Sequence, residues 1–209
     1  MTSIYLLRHG ATASNLLVPY RLQGRCSDLP LDDRGREQAR RAAAALAGLR
    51  FAAAYSSPLL RALETAQIVA QSHGLTPVVV PELTEADLGR WEGKTWEEIE
   101  ASEPELYHQY HAHPGTVPYS EGESFLDVQR RVTAVLAGLA ARHPDQAIVV
   151  VGHNVVNRAV LAGMLGVPID LARSLRQANA GINLIEDIDG KPRVVMLNSC
   201  LHLGELTST

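Results

Sequence analysis

The chain of 209 residues is long enough to bury one substantial core, and 46% hydrophobic with 20% charged residues is the balance of a globular protein rather than a disordered or fibrous one. A formal net charge of −4 leaves no broad basic surface of the kind that non-specific nucleic-acid or anionic-membrane binding requires, so any cationic site must be local. Cys26 and Cys200 stand far apart without a CxxC or Cys/His spacing, which argues against a zinc site or a disulfide framework.

The opening MTSIYLLRHG has no basic leader region, and a charge interrupts its apolar run after residues 4–7. No stretch approaches the roughly 20 apolar residues needed to span a bilayer. A cytoplasmic protein with no membrane or nucleic-acid partner is expected, folded as a single domain over 1–209.

In chain order, residues 4–7 read as a short buried strand, and residues 34–49 and 58–71 read as helices. Asp32 is placed to cap the first helix and Ser57, before Pro58, the second. Val78 to Val80, between two prolines, is a short strand at best. A lid-like insertion is expected over about 95–122, where residues 103–119 are rich in Pro, His and Tyr. Ser120-x-x-Glu123 resembles a capping box ahead of a helix over 125–142, in which Phe125, Val128, Val132, Val135 and Leu139 recur on one face. AIVVV at 147–151 is a second buried strand, and residues 182–188 and 193–197 flank Asp189-Gly190 as a hairpin. Alternating strands and helices with an appended hairpin predict a three-layer α/β/α sandwich around a mainly parallel sheet with an antiparallel edge.

Ligands of such sheets bind beyond the carboxyl ends of the strands, beside helix N-termini. Arg8-His9-Gly10 and Gly152-His153-Asn154 both follow buried strands, so the two histidines converge if those strands are neighbours. Arg61 lies in the first turn of the 58–71 helix, near its positive end. Such a pocket suits a dianion. A single histidine there reads as well as a structural residue, and an N-terminal arginine as a solvated charge; the constellation carries the reading.

LLRHGATASN (6–15) resembles the opening motif of the histidine phosphatase superfamily, the phosphoglycerate mutase-like family. RLQGRCSDLPLDDRGREQA (21–39), YSSPLLRALETA (55–66), LTEADLGRWEG (83–93), EGESFLDVQRRV (121–132) and VVVGHNVVNRAV (149–160) are similar to the family's successive blocks in their usual order. The resemblance implies that His9 is a phosphate-accepting nucleophile and that Arg8, Arg61 and His153 clamp the phosphoryl oxygens. It makes Glu85 the acid that protonates the leaving oxygen and then activates water, with Glu82 its near competitor. Gly10, Asn15, Gln23, Gly24 and Asn154 correspond to positions that touch phosphate or substrate.

These roles suit the residue types. A neutral imidazole is a good nucleophile near pH 7, and arginines bind phosphate bidentately without releasing a proton, so no metal or other cofactor is expected. Ala11, Leu88 and Gly152 depart from the common pattern, which keeps the substrate open.

Two further signals are weaker. The stretch 89–95 ends in GKT but is one residue short of a P-loop, and His108, His111 and His113 have metal-compatible spacing without an obvious Asp or Cys partner. Trp91 and Trp96 are expected to pack under the lid.

The implied activity is hydrolysis of a small phosphorylated metabolite through a phosphohistidine. A mutase that returns the phosphoryl group to a retained substrate is the runner-up, and a non-catalytic phospholigand-binding protein the alternative of another class. The ending LNSCLHLGEL (197–206) resembles a tail of some bacterial metal-independent phosphoserine phosphatases of the family. Phosphoserine is therefore one candidate beside α-ribazole phosphate, 3-phosphoglycerate and other phosphates. The apolar hairpin edge could support a homodimer.

Overall fold

The computed structural model describes residues 1–207, the side chain of Leu16 excepted. Its elements run β1 (Thr2–Arg8), α1 (Asp33–Leu46), β2 (Phe51–Ser56), α2 (Leu60–Gln71), β3 (Val78–Val79), α3 (Trp96–Ser102), α4 (Pro104–Ala112), α5 (Phe125–Arg142), β4 (Ala147–Gly152), α6 (Asn154–Leu165), β5 (Ile182–Ile188) and β6 (Lys191–Ser199). The strands form one sheet in the order β3-β2-β4-β1-β5-β6. The first four are parallel, and β5 and β6 add the antiparallel edge.

Strand periodicity explains the layers. Ile4, Leu6, Ile148, Val150 and Ile185 point into one apolar core with Val128, Val132 and Leu136 of α5 and Val156 and Val160 of α6. Leu7, Val149, Val151 and Ile182 point the other way, onto Ala42 and Leu46 of α1 and Ala62, Ala66 and Val69 of α2. Successive strand side chains face opposite sides, so a continuous apolar run such as AIVVV is what a sheet covered on both faces needs. Among the described residues no helix is long and apolar enough to cross a membrane.

Several local expectations are corrected. β2, FAAAYS, gives no strand signal in its three alanines and forms because it is sandwiched between β3 and β4. The second helix starts at Leu60 rather than beside Ser57. Its Leu60 N–H is capped from a distant loop by Asp28 Oδ1 at 2.6 Å, while Ser57 Oγ accepts the Leu59 N–H at 3.3 Å. The capping box of α5 is Ser124 with Asp127, not Ser120 with Glu123, because the Glu123 carboxylate is held by Arg131 at 2.7 Å and by the Asp87 N–H at 2.9 Å.

The 95–122 segment folds as α3 and α4 over the carboxyl end of the sheet. A Thr95/Glu98 capping box starts α3, and buried Trp91 meets Trp96, Tyr110 and Tyr119 edge-on with ring centroids 5.2 to 6.1 Å apart. Edge-to-face contacts satisfy the rings' quadrupoles and fix the height of this roof above the strands.

The β1–α1 connection depends on close backbone approach. A Cβ on Gly35, in the first turn of α1, would sit well inside contact distance of the Ala11 carbonyl oxygen, and one on Gly10 would collide with the Gly35 carbonyl. Gly35→Ala is therefore expected to push α1 off the loop that carries His9, costing about 1–3 kcal/mol as overpacking substitutions do. Thermal unfolding should show this as a fall of several degrees, and an unchanged Tm would mean that α1 shifts freely.

Candidate active site

The parallel pairing of β1 with β4 sets Arg8 beside Gly152, so the residues that follow each strand leave the sheet at the same edge. His9 and His153 meet there with ring centroids 5.1 Å apart, and the His9 N–H bonds the Gly152 carbonyl at 3.1 Å. His9 Nδ1 lies 2.6 Å from the Gly10 carbonyl oxygen. A carbonyl only accepts, so Nδ1 carries the proton and Nε2 keeps its lone pair. Burial above all, then the charges of Arg61 and Arg8, hold His9 well below the usual histidine pKa of 6.5, so the ring is neutral. His153 is likewise buried and depressed, first by burial and then by Arg61. Its Nε2 shares a 2.7 Å hydrogen bond with Ser57 Oγ, while its Nδ1 has no partner within the protein.

Both arginines are buried and held by carbonyls rather than carboxylates. Arg8 donates to the Gln177 carbonyl at 2.6 Å, and burial lowers its pKa to about 10, which leaves it charged at neutral pH. Arg61 donates to the carbonyls of Ser27 and Gly24, at 2.5 and 2.9 Å. The loop bearing those carbonyls is braced by the Glu92 carboxylate, which accepts the N–H groups of Gly24, Cys26 and Ser27 at 2.6 to 3.1 Å. Arg8 Nε, Arg61 Nε and Gln23 Nε2 are buried without a protein partner.

Glu85 is 3% exposed and sits at the N-terminus of α6, where its oxygens accept the N–H groups of Val155 and Val156 at 3.2 and 3.3 Å. Unpaired amides and the helix dipole both favour a carboxylate there. Arg131, paired with Glu123, ties down the preceding loop by donating to the carbonyls of Glu82, Thr84 and Glu85. Glu82 is exposed and faces a different surface, beside Tyr55 and Val78, so of the two carboxylates weighed from the sequence only Glu85 shares a cavity with His9.

That cavity has a volume of about 120 Å³. His9, Arg8, Asn15, Gln23, Glu85 and Asn154 line its floor and sides. Arg61 and His153 are wholly buried behind it. Gly10 and Gly24 are not on the wall; their backbones instead orient His9 and Arg61. The roof comes from Tyr20, Leu88, Trp96, Tyr110, Tyr119 and Phe125, with Arg158 and Arg173 at the side. Apart from Leu88, and Trp96 as a residue expected beneath the lid, none of these lining residues was singled out from the sequence for this site, because no local motif marks them and α3, α4 and α6 bring them together only in space. His111 packs on Trp96 and Tyr107, and His113 lies 3.8 Å from Asp170.

The two neutral histidines make stability depend on pH. Their folded pKa values lie below 6.5, so below that pH the unfolded chain binds protons that the folded one refuses. Stability is full above 6.5 and falls as the pH drops, by about 1.4 kcal/mol per ring for each pH unit over which that ring stays neutral. The Tm in a phosphate-free buffer should fall from pH 7.5 to 5.5, and His9→Gln should shrink the fall. A Tm that is flat across this window, or equally steep in His9→Gln, would mean that the rings protonate in place.

Comparison with known proteins places the chain in a family. The chain matches the model of the histidine phosphatase superfamily, branch 1, over residues 4–200. It is 33% identical over 205 residues to phosphoserine phosphatase 1 of Hydrogenobacter thermophilus, covering 98% of this chain and 96% of that protein. The structure of Bacillus stearothermophilus YhfR superposes with a TM-score of 0.89 at 33% identity, over 97% of this chain and 100% of that one. A phosphoserine phosphatase of Entamoeba histolytica, in complex with 3-phosphoglyceric acid, superposes with a TM-score of 0.86 at 30% identity and the same coverage. The chain belongs to the histidine phosphatase superfamily, branch 1.

Proposed function

We propose that the protein hydrolyses a small phosphorylated metabolite through a phosphohistidine formed on His9. The observation that carries this reading is the pair of buried guanidiniums, Arg8 and Arg61, held only by backbone carbonyls and each keeping an unpaired Nε beside a neutral imidazole. Buried charges are ordinarily paired. A phosphoryl dianion is the group whose charge and oxygen count would satisfy both arginines and the Gln23 amide at once.

In the first step His9 Nε2 attacks phosphorus, the P–N bond forms, the ester P–O bond breaks, and Glu85 gives a proton to the departing oxygen. In the second step Glu85 takes a proton from water as its oxygen attacks phosphorus, the P–N bond breaks, and inorganic phosphate leaves. Arg8, Arg61 and His153 stabilise charge on the equatorial oxygens throughout, each donor being worth on the order of 3 kcal/mol by analogy with oxyanion holes. The guanidiniums supply the charge that a metal would otherwise bring, so the reaction runs without one. Among the relatives, phosphoserine phosphatase 1 at 33% identity supports hydrolysis, while proteins named probable phosphoglycerate mutase at 30% identity keep phosphoryl return to a retained substrate as the second reading.

His9→Ala should abolish turnover in EDTA while the thermal transition persists, and the wild-type enzyme in EDTA should release one phosphate per ester consumed. Turnover by His9→Ala, or isomerised ester without phosphate, would overturn the reading.

Glu85→Gln separates leaving-group chemistry from phosphate binding. An alkyl phosphate, whose alkoxide needs a proton, should lose about 10² to 10⁴ in rate, whereas p-nitrophenyl phosphate should lose far less wherever a burst assay shows phosphorylation to be limiting. Equal losses under that condition would move the proton transfer to another group.

A further inference from the structure

We propose that Ser57 is a positioning residue that fixes the proton of His153 on Nδ1, so that this ring meets the phosphoryl group as a hydrogen-bond donor. The tautomer follows from the protein's own hydrogen bonds, and only its consequence for phosphate rests on the phosphatase reading.

Ser57 and His153 are wholly buried, and β4 holds them together. The Ser57 N–H bonds the carbonyl of Val151, two residues before His153, at 3.1 Å, and the Ser56 hydroxyl donates to the Ser57 carbonyl at 2.8 Å. The serine backbone is thus tied to the strand that delivers the histidine. The 2.7 Å contact between Ser57 Oγ and His153 Nε2 closes across that tie.

A neutral imidazole has one proton for two nitrogens, and burial followed by the charge of Arg61 keeps His153 neutral. Which nitrogen holds the proton is decided at the serine. Ser57 Oγ accepts the Leu59 N–H, and among the described residues its hydroxyl hydrogen has no acceptor other than His153 Nε2. A proton on Nε2 would orphan that hydroxyl hydrogen in a buried site and leave a lone pair on Nδ1, the ring atom that has no protein partner. With the proton on Nδ1, Ser57 donates to Nε2 and the unpartnered atom is an N–H. It then joins Arg8 Nε, Arg61 Nε and Gln23 Nε2 as a buried donor free for a ligand oxygen.

His9 carries the same tautomer with the opposite result. Its Nδ1–H is spent on the Gly10 carbonyl, which leaves the Nε2 lone pair free. The ring of His153, 5.1 Å away between centroids, spends its lone pair on Ser57 and keeps its N–H. One tether makes a nucleophile and the other a donor, although neither ring is charged. A lone pair on His153 Nδ1 would instead repel the phosphoryl oxygens.

Nitrogen-15 NMR of the histidine rings reads the tautomer directly, with the His153 signals identified by their loss in His153→Gln. In the free wild-type protein near pH 7.5, Nδ1 should show the shift and proton coupling of a protonated nitrogen and Nε2 the shift of an unprotonated one. Ser57→Ala should lose that preference, and Ser57→Thr, which keeps the hydroxyl, should retain it. Inorganic phosphate titrated calorimetrically should bind Ser57→Ala about 10-fold or more weakly than the wild type, with Ser57→Thr close to the wild type. If Ser57→Ala does not fold, Ser57→Cys, whose thiol is a weak donor of similar size, takes its place with the same expectations. A partial folding defect lowers the fraction of protein that binds without moving a proton between ring nitrogens. An Nε2–H or mixed tautomer in the wild type, an unchanged Nδ1–H tautomer without the serine hydroxyl, or phosphate affinity indifferent to a changed tautomer would each overturn the proposal. If the wild-type protein hydrolysed no phosphate ester, the phosphatase reading would fail, and the spectrum would still decide the role of Ser57.

Discussion

Two guanidiniums buried against backbone carbonyls are the constraint around which this molecule is arranged. Arg8 and Arg61 forgo the carboxylate partner that a buried arginine normally takes, and their charges remain available to an incoming anion. Such an arrangement is destabilising in the free protein, and it holds only because the surrounding structure over-determines it. Burial first, and then the same positive field, keeps His9 and His153 neutral, which makes His9 a nucleophile and gives both rings their pH-dependent cost. Reactivity and the loss of stability at low pH thus share a source.

The carboxylates near the site are correspondingly spent on backbone. Glu92 gathers three N–H groups of the loop that presents Ser27 and Gly24 to Arg61. Asp28, in the same loop, caps α2 and so fixes where Arg61 begins. Glu64, one turn further along α2, accepts the Leu31 N–H and pairs with Arg36 of α1 at 2.6 Å. Acids placed this way steer the arginines through the loop's shape without neutralising them by direct contact. Glu85 is the exception that faces the cavity, and helix amides rather than an arginine hold it there.

The centre of the site was legible in the sequence because Arg8, His9, Arg61 and His153 sit within a few positions of a strand end or helix start, while Asn15, Gln23 and Glu85 were reached through the family resemblance. β1, β4 and α5 announce themselves by apolar runs or helical spacing, and once β1 and β4 are neighbours the convergence of His9 and His153 follows. The roof and the distal arginines were not legible. Tyr20, Tyr110, Arg158 and Arg173 lie more than 150 residues apart at their extremes and meet through packing that no local pattern encodes. Boundary errors had the same origin. β2 carries alanines where a strand signal was sought, and α2 takes its cap from Asp28, 32 residues upstream, so rules that look only at neighbours misplace both.

The antiparallel hairpin, which looks from the sequence like a mere extension of the sheet, acquires a purpose in the bracket that holds Arg8. Gln177 offers its backbone carbonyl to Arg8, and its side-chain amide locks to Asn183 of β5 through bonds of 2.9 and 3.1 Å. Asn183 also donates to the Leu6 carbonyl of β1 at 2.9 Å and accepts the Asn198 N–H of β6 at 2.7 Å, while Asn198 Oδ1 accepts the Ala178 N–H at 2.8 Å. With Arg176 O and Asn157 Nδ2 as the remaining partners, every hydrogen-bonding position of the Gln177 and Asn183 amides is used. Buried amides satisfied in this way add little net stability and a great deal of positional specificity. A shift of β5 against β1 by one residue would turn Asn183 to the other face and release Gln177. The register of the hairpin is therefore coupled to the position of the Arg8 guanidinium, and the sheet's antiparallel edge belongs to the machinery of the site as much as its parallel centre does.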